Sequence, residues 1–266
     1  MAYWLARAKS SLLLVVLLGL LALSSGSCGV LPNQQRVSLA IAARGVNADI
    51  SAMISGTPYS ITTTNGGNFF DLAAQLGINT LRITDIQWEM TGKEYSHSSW
   101  RYVFDEAADH HMNIILLLMD GNGHPASQQA HTLLETYGLA HAPALWMVDL
   151  SNEPDLSDPQ VMAALSNEAT YVRQIALSAY ITIGGWKSQV PGHPGEFDWE
   201  NPADIPKLIN LVDVVSPHLY GFDQAMLPGL TPQKHTRDYL SEVRLVSQNK
   251  PILLEEFGAS NGLATT

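Results

Sequence analysis

Short, wholly apolar runs, each closed by a polar cluster and separated from the next by a segment of helical spacing, constrain this chain most. Asn113-Ile-Ile-Leu-Leu-Leu-Met119 runs into Asp120-Gly121-Asn122-Gly123-His124, and residues 142–148 run into Asp149-Leu150-Ser151-Asn152-Glu153-Pro154-Asp155. A continuous apolar run of that length reads as a parallel strand buried on both faces. Pro154 lacks an N–H and cannot extend a ladder, so Asn152 and Glu153 are expected at a strand tip. The same unit recurs. Strands are predicted over 36–43 (with Arg44-Gly45-Val46-Asn47 as its loop), 78–84, 113–119, the run before Asn152, 180–184, 213–220 and 251–256. Helices are predicted over 69–76 with Gly77 as its stop, 100–111, 131–137, 159–179 behind an Asp158 cap, 205–211 and 236–248, with loops over 55–68 and the Gly/Pro-rich 191–201.

Strands alternating with helices, and polar residues collecting after each strand, are the rhythm of α/β architecture and of a (β/α)8 TIM barrel in particular. The count stops at seven strands, because only residues 259–266 follow Gly258. An open seven-stranded barrel leaves unpaired edges. A barrel truncated after the seventh strand is therefore the expectation; the alternative is an early segment that closes it.

With 266 residues, 46% of them hydrophobic, the chain has material for one sizeable core. Residues 1–27 read as an export signal. Arg7 and Lys9 precede an apolar stretch over residues 12–23, too short to span a bilayer comfortably, and small residues follow. Gly26-Ser27-Cys28 resembles a bacterial lipobox, which implies a lipidated Cys28 and attachment to a membrane; ordinary cleavage near Ser24, giving a secreted protein, is the other reading. Residues 28–35 then form a tether and 36–266 the barrel domain. Cys28 is the only cysteine, so no internal disulfide forms. The formal net charge is −11, and removal of residues 1–27 takes away Arg7 and Lys9 and no acid, leaving −13. An acidic chain without a Lys/Arg cluster is a poor partner for nucleic acid; a neutral polysaccharide suits it. A monomer at the cell surface or outside the cell is expected.

Two carboxylates at tips of non-neighbouring barrel strands suit cleavage of a glycosidic bond, one protonating the leaving oxygen while the other attacks the anomeric carbon or activates water. Glu153 is one. Glu255-Glu256-Phe257-Gly258 supplies the other, and the period of two allows one of its acids to face the mouth.

Asn152-Glu153-Pro154 and Glu256-Phe257-Gly258 resemble the paired signatures of clan A glycoside hydrolases, family 5 (the cellulase and mannanase family) above all. Arg44-Gly45-Val46-Asn47, Gly77-Ile78-Asn79-Thr80-Leu81-Arg82 and Ser216-Pro217-His218-Leu219-Tyr220 are similar to that family's first, second and sixth strands. The resemblance implies a retaining glycosidase acting on a β-linked glycan. Glu153 is then the acid/base, kept protonated with help from nearby negative charge, and Glu256 the nucleophile. Asn152 holds the substrate 2-hydroxyl, Arg82 keeps Glu256 ionised, and His218 and Tyr220 line the donor side. The Asp120–His124 loop is similar to the family's histidine-bearing loop, making His124 a candidate contact. The family's stacking tryptophan comes from an eighth strand; here Trp186, Trp88 or Trp199 are candidates in its place, Trp186 first. No metal or organic cofactor is implied.

Competing readings stand beside these. Glu153 could be an ordinary helix-start acid, Arg82 could pair with Asp85, and His218 and Tyr220 could be satisfied core polar groups. The competing function is a non-catalytic glycan-binding lipoprotein that kept the groove and lost competence.

Overall fold

In the computed structural model the described residues are 43–119, 125–220 and 232–257, with backbone only for 232–235. The chain divides into two compact units, Met1–Ala43 and Arg44–Thr266, and all the described strands and helices belong to the second. The export signal, the tether, Cys28 and His124 lie outside the described residues.

Five parallel strands form one sheet in chain order: β1 (Gly45–Asp49), β2 (Thr80–Thr84), β3 (Asn113–Leu117), β4 (Leu145–Asn152) and β5 (Tyr180–Gly184). A hairpin of β6 (Lys187–Gln189) and β7 (Phe197–Trp199) follows β5. The barrel wall then resumes with β8 (His218–Leu219) paired in parallel to β9 (Glu256–Phe257). Single bridges, Gly184 to Ser216 and Val215 to Ile252, join β5 to the β8 segment and that segment to the β9 segment. The Thr182 hydroxyl reinforces this seam, lying 2.6 Å from Ser216 Oγ and 3.0 Å from the Val214 carbonyl oxygen. Seven parallel segments thus run around the wall among the described residues, the order of a (β/α) barrel.

The helices form where caps and spacing dictate. The helix Phe69–Gln75 starts in a reciprocal capping box between Asn68 and Asp71, and Gly77 follows its end at φ 72°, where only glycine is unstrained. Asp158 accepts from the Gln160 N–H at 2.7 Å and caps the long helix Pro159–Ile175, as its sequence predicts. The core is continuous between helices and sheet: Trp100, Phe104, Ile114, Leu116, Val148, Ile181 and Trp186 are all buried. Burying each such large side chain contributes about 1.5–3 kcal/mol.

Four predicted boundaries move. The strand expected over 36–43 lies outside the described residues except for its last one, and the first strand among the described residues is Gly45–Asp49, laid against Thr80–Thr84, where a loop is expected. The single helix expected at 131–137 is a short α-helix, Ala126–Ala130, running into a π-helix, His131–Thr136. The Gly/Pro-rich loop after the fifth strand contains β7 of the hairpin. The sixth and seventh predicted strands keep a regular ladder over two residues each, although backbone bonds such as Val215 N–H to the Pro251 carbonyl and Leu253 N–H to the Val215 carbonyl extend their contact; Pro217 has no N–H to give to the seam.

Candidate active site

The barrel mouth is organised around Arg82 on β2, whose side chain is 3% exposed. Its Nε and Nη2 donate to Asp149 Oδ2 at 2.9 and 2.7 Å, Nη2 also donates to Asn152 Oδ1 at 2.9 Å, and Nη1 donates to Glu256 Oε1 at 2.5 Å. Asp149 is itself fixed by the Gly184 N–H at 2.8 Å. Burial works against the Arg82 charge, but Asp149, Glu255 and Glu256 outweigh it and raise its pKa. Arg82 therefore does not pair with Asp85, which caps the segment Ile86–Thr91 through the Trp88 N–H.

Asp149 and Asn152 are three apart, and a regular strand would turn them to opposite faces. Between them the register against β5 breaks, Asp149 facing Thr182 and Asn152 facing Gly184, so β4 spends three residues where β5 spends two. This bulge brings both side chains to the same guanidinium. Glu153 follows in the left-handed region at φ 51°, rare for a residue with a β-carbon, and its N–H is held by the Gly184 carbonyl at 2.7 Å. The strand tip is aimed by irregularity rather than by strand geometry.

Across the mouth, Glu256 accepts from Arg82 on Oε1 and from the Tyr220 hydroxyl on Oε2 at 2.6 Å. Burial, then the bond to Glu256, raises the Tyr220 pKa, so the phenol keeps its proton and donates. His218, 1% exposed, sits between the acids with Nδ1 3.1 Å from Glu153 Oε1 and 3.6 Å from Glu256 Oε2. One carboxylate oxygen of each glutamate and a His218 ring nitrogen lie within 4.8 Å of one another. That spacing would admit a metal ion, but the surroundings suit a sugar better: both Glu256 oxygens already accept hydrogen bonds and a fixed cation presses on one of them.

Two expectations need correction. Glu153 is not pushed up by its negative neighbours. The His218 hydrogen bond, followed by the charges of His218, Lys187 and Arg82, outweighs burial and holds its carboxyl below the usual range. Trp186 offers no stacking face, being fully buried with its indole N–H on the Asn201 carbonyl at 3.0 Å. Trp88 is buried as well, its N–H on the Met119 carbonyl. Of the three candidate tryptophans only Trp199, on β7, is exposed, at 50%.

Two further acids stand beside the site, Glu255, expected as the strand neighbour of Glu256, and Glu200, which no reading of the sequence picks out. The Glu255 side chain is buried beneath Glu256, with Oε1 3.4 Å from Arg82 Nε and no hydrogen bond on either oxygen. Burial and then the nearby Asp149 push its pKa well above the ordinary carboxylate range. Glu200 accepts from the Trp186 N–H at 3.0 Å and lies 3.3 Å from the Tyr239 hydroxyl, and burial pushes it up to about 8. Nothing in Trp199-Glu200-Asn201-Pro202 marks that acid as buried. Glycine is required beneath this cluster: a β-carbon at Gly184 would lie 2.5 Å from Arg82 Nη2, 2.7 Å from Asp149 Oδ2 and 2.9 Å from Glu255 Oε2.

Comparison with known proteins identifies the fold and the family. Residues 41–265 match the model of the family described as cellulase (glycosyl hydrolase family 5). Among solved structures, an endo-beta-1,4-mannanase from Thermotoga petrophila superposes with a TM-score of 0.54 at 16% identity, over 82% of this chain and 61% of that one. The hyperthermostable endo-1,4-beta-D-mannanase from Thermotoga petrophila RKU-1 gives 0.55 at 15%, over 84% and 80%. The catalytic domain of the major endoglucanase from Xanthomonas campestris pv. campestris gives 0.55 at 16%, over 80% and 75%. At such identities the likeness shows the fold, and the chain spans under two thirds of the first mannanase's length. No curated protein sequence matches the chain. With the family model covering the barrel from its first strand to beyond Glu256, this chain belongs to glycosyl hydrolase family 5.

Proposed function

We propose that this protein is an exported, retaining glycosidase that hydrolyses a β-linked glycan of the glucan or mannan type, with Glu256 as nucleophile and Glu153 as acid/base. The observation that carries the reading is the approach of the two carboxylates to within 4.8 Å across the mouth. Retaining glycosidases hold their carboxyl groups about 5–5.5 Å apart, whereas inverting ones leave roughly 6.5–9.5 Å for a water. The solved relatives named as endo-mannanases and an endoglucanase support the substrate class. The basic start and apolar run of residues 1–27 support export, and Cys28 is the proposed lipidation site. The mass of the mature N-terminus tests both.

In the first step a Glu256 oxygen bonds to the anomeric carbon as the bond to the leaving sugar breaks, and the Glu153 proton passes to the leaving oxygen. In the second, Glu153 takes a proton from water, the water oxygen bonds to the anomeric carbon, and Glu256 departs as carboxylate. Arg82 and Tyr220 orient Glu256 and favour its ionised form. Asn152 gives its carbonyl oxygen to Arg82, leaving its amide N–H groups for the 2-hydroxyl. His218 holds Glu153 ionised in the free protein, so substrate binding must loosen that bond before protonation. A sugar that displaces water from the mouth favours the neutral acid in that way.

The test is hydrolysis of β-glucans, mannans and aryl β-glycosides by the wild type and by Glu153→Gln and Glu256→Gln. Each variant is expected to lose at least about a thousandfold in kcat on glycans, while Glu153→Gln keeps more activity on aryl glycosides, whose leaving groups need no proton. Activity surviving both changes sinks the mechanism. Tight glycan binding without hydrolysis by the wild type would instead establish the non-catalytic, glycan-binding lipoprotein.

A further inference from the structure

β-Structure continues past the strand tip that carries Glu153. The Lys187 N–H donates to the Pro154 carbonyl at 3.0 Å, the Leu156 N–H to the Lys187 carbonyl at 2.8 Å, and the Gln189 N–H to Ser157 Oγ at 3.1 Å. The β6–β7 hairpin is thus stitched to the residues that directly follow the proposed acid/base. Its antiparallel register pairs Lys187 with Trp199 and Gln189 with Phe197, which places these four on one face and Ser188 with Asp198 on the other. On the first face the Lys187 ammonium lies 5.1 Å from the Phe197 ring centre and 5.0 Å from that of Trp199.

The acids nearest in the chain are engaged elsewhere. Asp198 accepts from the Asn201 amide at 2.7 Å, and Asp155, which bridges Lys187 through the backbone, accepts from the Ser157 N–H and hydroxyl. Among the described residues no carboxylate oxygen comes within 4.0 Å of Lys187 Nζ. An acidic chain therefore displays, beside Glu153, a cation seated on aromatic rings that makes no close ion pair among the described residues and whose charge is felt by Glu153 from farther off. A half-exposed indole offers a stacking face for the apolar side of a sugar ring, and an ammonium partly desolvated by aromatic contact pairs with an anion more strongly than one in open water.

We propose that this hairpin face is a subsite for the sugar on the leaving-group side of the cleaved bond, and that Lys187 makes it select a unit carrying a carboxylate, as a uronic acid does. The proposal rests on the glycosidase reading above, because Glu153 defines which side the leaving group occupies. It links binding to chemistry: a carboxylate paired with Lys187 cancels one of the positive charges that keep Glu153 ionised, and so favours the acid form that the first step consumes.

The experiment is calorimetric binding to the full chain carrying Glu256→Gln, which holds substrate without turnover. The probes are a neutral β-linked glucan tetrasaccharide and its counterpart with a glucuronic acid in the reducing-end half. The acidic probe is expected to bind about tenfold tighter, as a partly desolvated charge-assisted contact allows. That preference should fall to about one with added Lys187→Gln and at high salt, while Trp199→Ala should weaken both probes alike. Equal binding of the two probes, or a preference that survives Lys187→Gln, overturns the subsite proposal alone. Binding of neither probe overturns this proposal, while the glycosidase reading is decided separately by the hydrolysis of β-glucans, mannans and aryl β-glycosides.

Discussion

The two sides of the barrel hold their active groups by different means. From β1 to β5 the strands share one parallel ladder, and Arg82, Asp149 and Asn152 take their places from that ladder and the bulge in β4. On the other side β8 and β9 pair over two residues each, and the segments leading into them are joined more sparsely, by backbone bonds such as Asp213 N–H to the Ile181 carbonyl, Gly185 N–H to the Ser216 carbonyl and Leu253 N–H to the Val215 carbonyl. There His218, Tyr220 and Glu256 stand on a short ladder and are oriented by side-chain bonds across the mouth, to Glu153 and Arg82 and to one another. A change in the first side is therefore felt by the second, while a change confined to the second is felt mainly in catalysis.

The most severe way to break that contrast is Arg82→Met, which removes the one residue that belongs to both sides. Asp149, 0% exposed, is left without its cation, and stability should fall by about 3–5 kcal/mol. The activity ratio kcat/KM should fall at least about a thousandfold because Glu256 loses its brace. Urea unfolding and steady-state kinetics read the two losses, and Arg82→Lys should recover part of the first and little of the second. Gly184→Ala is next. Its methyl group intrudes on Arg82, Asp149 and Glu255, which predicts a loss of about 1–3 kcal/mol in the same unfolding assay. An unchanged midpoint would mean that the cluster yields more easily than its packing implies.

His218→Asn probes the weaker side through pH. The His218 bond holds the Glu153 carboxyl below its ordinary 4.5, so the acid form is lost early as pH rises. Without that bond the acid form persists to higher pH, and the alkaline limb of kcat/KM should move upward. The stability sign is the opposite one. A depressed carboxyl pKa stabilises the fold above the ordinary value and loses that contribution as pH falls through the folded value, so the variant should be less sensitive to acid. The smallest effect is expected from Tyr220→Phe, which removes one hydrogen bond from a half-exposed side chain. A drop of roughly tenfold in kcat with an unchanged melting temperature would fit a role confined to orienting Glu256.

Much of this was legible in the chain. Apolar runs of five to eight residues announce buried parallel strands because nothing else in a barrel is apolar all round, and β2 to β5 lie close to where those runs place them. Glu153, Glu256, Arg82, His218, Asn152 and Tyr220 meet at one mouth because each follows such a run or sits within it. What sequence could not convey has physical reasons. The β4 bulge breaks the period of two by which facing is inferred, so the shared grip of Asp149 and Asn152 on Arg82 is invisible until the register is seen. Trp186 lies in the core and Trp199 is exposed, and neither is legible because Trp186 falls between β5 and β6 and Trp199 ends a three-residue strand too short to carry a pattern. Glu200 looks like an ordinary surface acid, and Glu255 like the strand neighbour of Glu256; how far each is withdrawn from water is set by elements distant in the chain.

The left-handed backbone at Glu153 has a consequence of its own. That conformation disfavours residues with a β-carbon by roughly 1 kcal/mol or more and suits glycine or asparagine. The position that carries the proposed proton donor is therefore one where an inert residue would make the protein firmer. Any selection for robustness alone, by laboratory screening or by consensus design, is drawn toward discarding the acid, so stability and turnover have to be scored together at this residue.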